Sequence, residues 1–205
     1  VVVSRLFGAK DMVRMKSAVS TAFIACAFMS FFLTFIGYFF CGSMMRLVHT
    51  PENIFADGRL YLKIYVYGIT FLLLYNVCTG IFTALGDSKT PLYFLIGSSV
   101  GNIILDYYFV ASVGLGVAGV AWATFIAQGI SAILALTFLA VRLKRINCEG
   151  TFKWLDLVLL AQIAAIAIPS IMQQSVLSIG NMFVQEIVNR YGSAVIAGYS
   201  GAIKL

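Results

Sequence analysis

Long apolar runs broken by short polar segments dominate the chain, and their lengths predict helices that cross a membrane. A spanning helix needs about 20 mostly apolar residues. The first such run covers about 18–41 and continues to 47, longer than one crossing needs, which implies tilt, a kink or an overhang. The second covers about 60–85, the third about 91–111, and the fourth runs from a glycine-rich turn at 112–116 to about 141. A fifth covers about 157–189, residues 194–205 open a sixth, and Val1 to Val3 read as the tail of an earlier span. On this pattern the chain is an all-α, polytopic membrane helical bundle and a piece of a longer protein.

The breaks between runs carry ordinary helix-end signals. Gly86 suits a C-terminus, and Thr90 followed by Pro91 suits an N-cap with proline at the first helical position. Tyr191 and Gly192 end the fifth run, Pro169 is expected to kink it, and Trp154 is placed as an interfacial anchor before it. In the fourth run Gly114, Gly116, Ala118, Gly119, Ala121, Ala123 and Ala127 are small residues at close spacing. Such a surface lets neighbouring helices approach, so this helix is expected to be packed on both sides.

Charge then orients the bundle. One set of alternate loops holds Arg5, Lys10, Arg14, Lys16, Lys89, Arg142, Lys144, Arg145 and Lys153, while the other holds Arg46, Arg59, Lys63 and Arg190. The richer set belongs on the cytoplasmic side. Hydrophobic residues make up 61% of the chain and charged ones 11%, a balance that no soluble core uses. The net charge of +6 is spread over these loops, so it reports topology and not a nucleic-acid surface. The four cysteines, Cys26, Cys41, Cys78 and Cys148, form no CxxC pair, and three sit in or beside apolar runs, where a thiol acts as a small hydrophobe.

One acidic residue lies well inside an apolar run of the first four spans: Asp106, in the stretch from Gly101 to Tyr107. An ionisable group in the bilayer is a functional-site hypothesis by default. Asn102 is four residues earlier and shares its helix face. If the third and fourth spans form a hairpin centred near Leu115, reflection carries Asp106 onto Thr124 and Asn102 onto Gln128. At about 1.5 Å per residue, Asp106 lies roughly 10 Å from the outer turn and the other rung about 6 Å deeper. Low-dielectric surroundings favour the neutral carboxyl and a bound cation favours the carboxylate, so such a group can exchange a proton for a metal ion or a cationic drug. The competing reading is structural: Asp106 reaches outer water, and Asn102 and Gln128 bond across helices, an interaction worth about 0.6 kcal/mol.

In the fifth run Gln174, Ser178, Asn181 and Gln185 recur at helical spacing and form one stripe. It either lines a substrate path or buries against other polar groups. Glu186 is read as interfacial, and the single histidine, His49, as a solvated loop residue. HExxH and P-loop signatures are absent from the sequence, which speaks against an intramembrane enzyme.

Three blocks now resemble a known family. They are the run from Gly80 to Pro91 (GIFTALGDSKTP), the run from Asn102 to Asp106 (NIILD), and the run from Gly114 to Thr124 (GLGVAGVAWAT). Their order and spacing are similar to those of the multidrug and toxic compound extrusion (MATE) transporters. The segment from Ser4 to Asp11 resembles that family's cytoplasmic link after its second helix, and Pro169 with Tyr191 and Gly192 resembles its seventh helix. Spans one to five here would then be the family's helices three to seven.

The resemblance implies a twelve-helix fold of two lobes around a central cleft, with residues 1–141 in the amino lobe, 142–156 as a cytoplasmic linker and 157–205 opening the carboxy lobe. It implies multidrug efflux by proton- or sodium-coupled antiport and alternating access. The exported compounds would be amphiphilic, cationic drugs. Neither an enzyme activity nor a cofactor is expected beyond H+ or Na+ as coupling ion, and no nucleic acid. The other expected partners are membrane lipid and the remaining helices of the full-length protein. The expected location is a cell membrane, multi-pass, the bacterial inner membrane. The family's amino-lobe cation site falls on Asn102, Asp106 and Thr124, the set that would hold sodium, while Gln128 comes from the hairpin reflection alone. Where some members carry a glutamate in the seventh helix, this chain has Gln173, Gln174 and Leu177, which places coupling in the amino lobe. A lipid-linked saccharide flippase of the same superfamily would need a basic cleft, and Lys204 alone among the bases lies inside a span. A non-transporting helical scaffold would leave Asp106 unexplained.

Overall fold

The computed structural model describes residues 1–47, 50, 52–146, 150–191, 195, 198–199 and 201–202, without the side chain of Asn53. The expectations for His49, Cys148, Gly192 and Lys204 lie outside the described residues, as does most of the sixth run. A short helix, α1 (Val2–Gly8), precedes five long ones: α2 (Met12–Leu47), α3 (Glu52–Ala84), α4 (Lys89–Tyr107), α5 (Gly116–Arg145) and α6 (Leu157–Asn189). All five are long and apolar enough to cross a membrane. The fifth run ends where the pattern placed it, and α6 continues through Pro169 as one helix.

Other boundaries move outward, because the polar residues flanking an apolar run still have helical partners. Thus α2 starts at Met12 and not near Ala18, after a turn in which Lys10 adopts a left-handed φ of 58° and Asp11 accepts a bond from the Arg14 amide at 3.0 Å. The start of α4 is a correction to the expected Thr90 cap. Asp87 does that work: its Oδ1 accepts from the Thr90 amide at 3.1 Å, and its Oδ2 from the Thr90 hydroxyl at 2.8 Å. The helix therefore begins at Lys89, and Pro91 falls later in the first turn, where its missing N–H still costs nothing. At the other end of α4 the backbone widens into a π-helical turn, Tyr108–Ser112.

The helix with the small-residue surface is the hub. Between α3 and α4, α5 buries Gly119, Ala121, Ala123, Ala127, Gly129, Ser131, Ala132, Ala135 and Leu139. At Gly129 an added Cβ would sit 3.4 Å from the Phe71 ring of α3, so the two helices lie in close contact there. Lipid tails are as apolar as the side chains, so close packing holds such helices together where water is absent. The densest packing is at the basic end, where Met15 and Val19 of α2, Cys78, Ile81, Phe82 and Leu85 of α3, and Ala135 and Leu139 of α5 form one cluster. Cys26, Cys41 and Cys78 are free thiols.

Ile146 and residues 150–156 cross this end as a strap. Lys16 Nζ donates to the Ile146 carbonyl at 2.8 Å, and Ser20 Oγ to the Trp154 carbonyl at 2.7 Å. Ser17 Oγ accepts from the Lys153 amide and Thr21 Oγ1 from the Asp156 amide, each at 3.0 Å. Asp156 then caps α6 by accepting from the Val158 and Leu159 amides. Beyond this junction α6 stands largely apart, with its main contacts to α2 and α1.

Candidate functional site

The site is assembled on the α4–α5 hairpin. Gly114 and Gly116, with φ of +73° and +54°, allow the tight reversal that other residues resist. Phe109 lies against Gly119 and Phe94 against Phe138, pairs whose numbers add to 228 and 232. The hairpin is thus antiparallel, and the reflected partners of Asp106 and Asn102 fall within about two residues of Thr124 and Gln128.

Asn102 and Asp106 lie one turn apart on α4, each half-buried. Asn102 Nδ2 and Asp106 Oδ1 are both buried with no hydrogen-bond partner among the described residues. Buried polar atoms without partners are rare, and each calls for a reason. Asp106 also sits two residues before the π-helical turn, a distortion that recurs at functional sites. A neutral carboxyl could use Oδ1 as an acceptor or carry its proton there, and an ionised one could meet a cation.

Thr124 and Gln128 are half-buried on the facing helix, and no hydrogen bond among the described residues joins either one to Asn102 or Asp106. Gln128 instead turns toward α3, where its Oε1 lies 3.5 Å from the position a Cβ would take on Gly68. With Tyr75, Ser98 and Ser131 it lines a chamber of about 160 Å³ between α3, α4 and α5. Sequence reasoning passed over Ser98, although it extends the stripe of Asn102 and Asp106 by one more turn and could have been found by the same spacing. It also passed over Thr34 of α2, whose Oγ1 is a third buried atom without a partner. Among the described residues no three His, Cys, Asp or Glu side chains converge as a metal cluster, so any cation here would rest on one carboxylate and neutral oxygens.

On α6, Gln174, Ser178 and Asn181 are exposed, while Gln185 is half-buried and donates to Asn189 Oδ1 at 2.8 Å. Glu186 pairs with Arg190 at 2.8 Å, as an interfacial residue would. The stripe does not touch α4 or α5 substantially. One turn before Gln174, however, Ser170 lies on the wall of an apolar cleft of about 310 Å³ enclosed by α1, α2, α3 and α6. The polar stripe is thus continuous with the face of α6 that meets this cleft.

Five long apolar helices among the described residues define a polytopic α-helical membrane protein. The MatE family model matches residues 1–108, more than half of the chain, and the chain belongs to that family. It is 30% identical over its whole length to the probable multidrug resistance protein YpnP of Bacillus subtilis, of which it spans 45%. It is also 30% identical to the probable multidrug resistance protein YoeA of the same organism, with 97% of the chain and 44% of that relative aligned. The chain therefore spans less than half the length of these relatives. Among solved structures it matches an inward-facing multidrug resistance MATE family transporter of the MOP superfamily, with a TM-score of 0.76 at 21% identity over 91% of this chain and 43% of that one. This likeness establishes the fold.

Proposed function

We propose that the full-length protein exports amphiphilic, cationic small molecules from a bacterial cell by antiport against protons or sodium, with Asp106 as the coupling group. Residues 1–141 form part of the amino lobe, 142–156 link the lobes and 157–205 open the carboxy lobe. The strap-like junction and the few contacts of α6 support this division. The relatives' description as multidrug resistance proteins supports the substrate class.

The observation that carries the reading is an Asp106 oxygen one turn from an Asn102 amide nitrogen, both buried without a partner among the described residues, in a hairpin that spans the membrane. A proton or a cation could each fill the open position on this carboxyl. Its occupant therefore decides how α4 meets α5, and the polar atoms left open are those that a change of packing would satisfy. Thr124 is the facing hydroxyl, and Gln128 with the adjoining chamber offers a polar route away from the carboxyl. The cleft beside α6 and the stripe of Gln174, Ser178, Asn181 and Gln185 form the path for the drug.

The test is drug accumulation in cells expressing the full-length protein, with the pH and sodium gradients collapsed separately. Loss of efflux on collapsing one of them is expected. Efflux that survives collapse of both would refute the antiport.

A further inference from the structure

At the basic end, α2 and α5 both lean on α3 and leave between them a groove of about 460 Å³, roofed by the strap. Its floor is apolar, formed by Val19 and Phe23 of α2 and Leu143 of α5. Its mouth is different. Lys16 and Lys144 stand there on opposite helices, with the Trp154 ring, 72% exposed, beside them. Lys16 gives one hydrogen bond to the Ile146 carbonyl, which leaves two of its three donors, and among the described residues neither lysine is in an ion pair.

This chemistry selects its occupant. Two ammonium groups repel a cationic drug, so the groove is separate from the proposed transport path. A further helix laid here would bury both charges against no described carboxylate, which is costly. An anionic lipid meets every requirement: a negative headgroup for the lysines, an acyl chain for the floor, and an interfacial depth at which tryptophan rings settle. Basic pockets between membrane helices on the cytoplasmic side bind such headgroups. We propose that this groove is a binding site for an anionic glycerophospholipid, with its phosphate between Lys16 and Lys144 and one acyl chain along the floor. Because Lys16 and Trp154 also belong to the hydrogen-bonded junction of strap and α2, the bound lipid would brace that junction.

The inference can be tested on the full-length protein in nanodiscs with photoactivatable phosphatidylglycerol or phosphatidylcholine, followed by peptide mapping of the crosslinks. Labelling of 19–24, 140–143 or 152–154 is expected, favouring phosphatidylglycerol by about tenfold. The double variant Lys16→Gln with Lys144→Gln should lose that preference, and Lys144→Arg, which keeps the charge, should retain it with an unchanged elution profile. Labelling equal for the two lipids, labelling absent from these segments, or a preference that survives in the double glutamine variant would each overturn the proposal. Since labelling is read without transport, the outcome is independent of the antiport reading.

Discussion

At the basic end of the bundle Ser17, Ser20 and Thr21 each bond to the strap, whereas inside the α4–α5 hairpin Asn102 Nδ2 and Asp106 Oδ1 are buried without a hydrogen-bond partner among the described residues. The two regions also differ in packing. Phe82, Met15, Leu139 and Cys78 are fully buried at the basic end, while α4 has no buried residue along its length. A satisfied, close-packed region stores stability, and a region with open polar atoms stores alternatives. The comparison teaches that this chain separates the two tasks along the membrane normal.

Breaking the packed end should give the largest change in stability. Phe82→Ala, which empties a site only 1% exposed, is expected to cost about 3 kcal/mol, read as a fall in the thermal unfolding midpoint of the full-length protein in detergent. The hairpin should respond in the opposite sense. Asn102→Leu removes a buried donor without a partner among the described residues, so stability should hold or rise by up to about 1 kcal/mol while drug efflux is lost. A variant as unstable as Phe82→Ala would show that Asn102 serves the fold and not coupling.

The smallest effect is expected at Asp87. The Thr90 amide, and after it the Thr90 hydroxyl and the Arg142 guanidinium, hold this carboxyl below its usual 3.8 against the opposing push of burial. Because the folded-state value is lowered, the contribution is complete above the ordinary carboxylate range and lost as pH falls through the lowered value. Solvent screening keeps it below about 1 kcal/mol. Melting curves at falling pH should show a small acid-side loss that Asp87→Asn no longer shows.

Much of this could be read from residue order. The five long apolar runs announced their helices, α6 to the residue, because the bilayer demands a minimum length and the breaks are polar. The shared face of Asn102 and Asp106 followed from a spacing of four, and the hairpin register from a short glycine turn. The strap was not legible, since hydroxyls of α2 meeting backbone groups over 130 residues later leave no periodic trace. Nor was the capping role of Asp87, because Asp87, Ser88 and Thr90 all carry cap-forming side chains and local pattern does not rank them. The π-helical turn that follows α4 likewise has no residue signature.

The central claim is that the Asp106 carboxyl couples drug movement to an ion gradient. Full-length wild type and Asp106→Asn should be reconstituted in proteoliposomes, with proton and sodium gradients imposed separately and drug flux followed under each. The account predicts that one gradient accelerates flux by wild type, and that neither accelerates flux by the variant, although it stays folded and still binds drug. Gradient-driven flux by Asp106→Asn equal to that of wild type would contradict it.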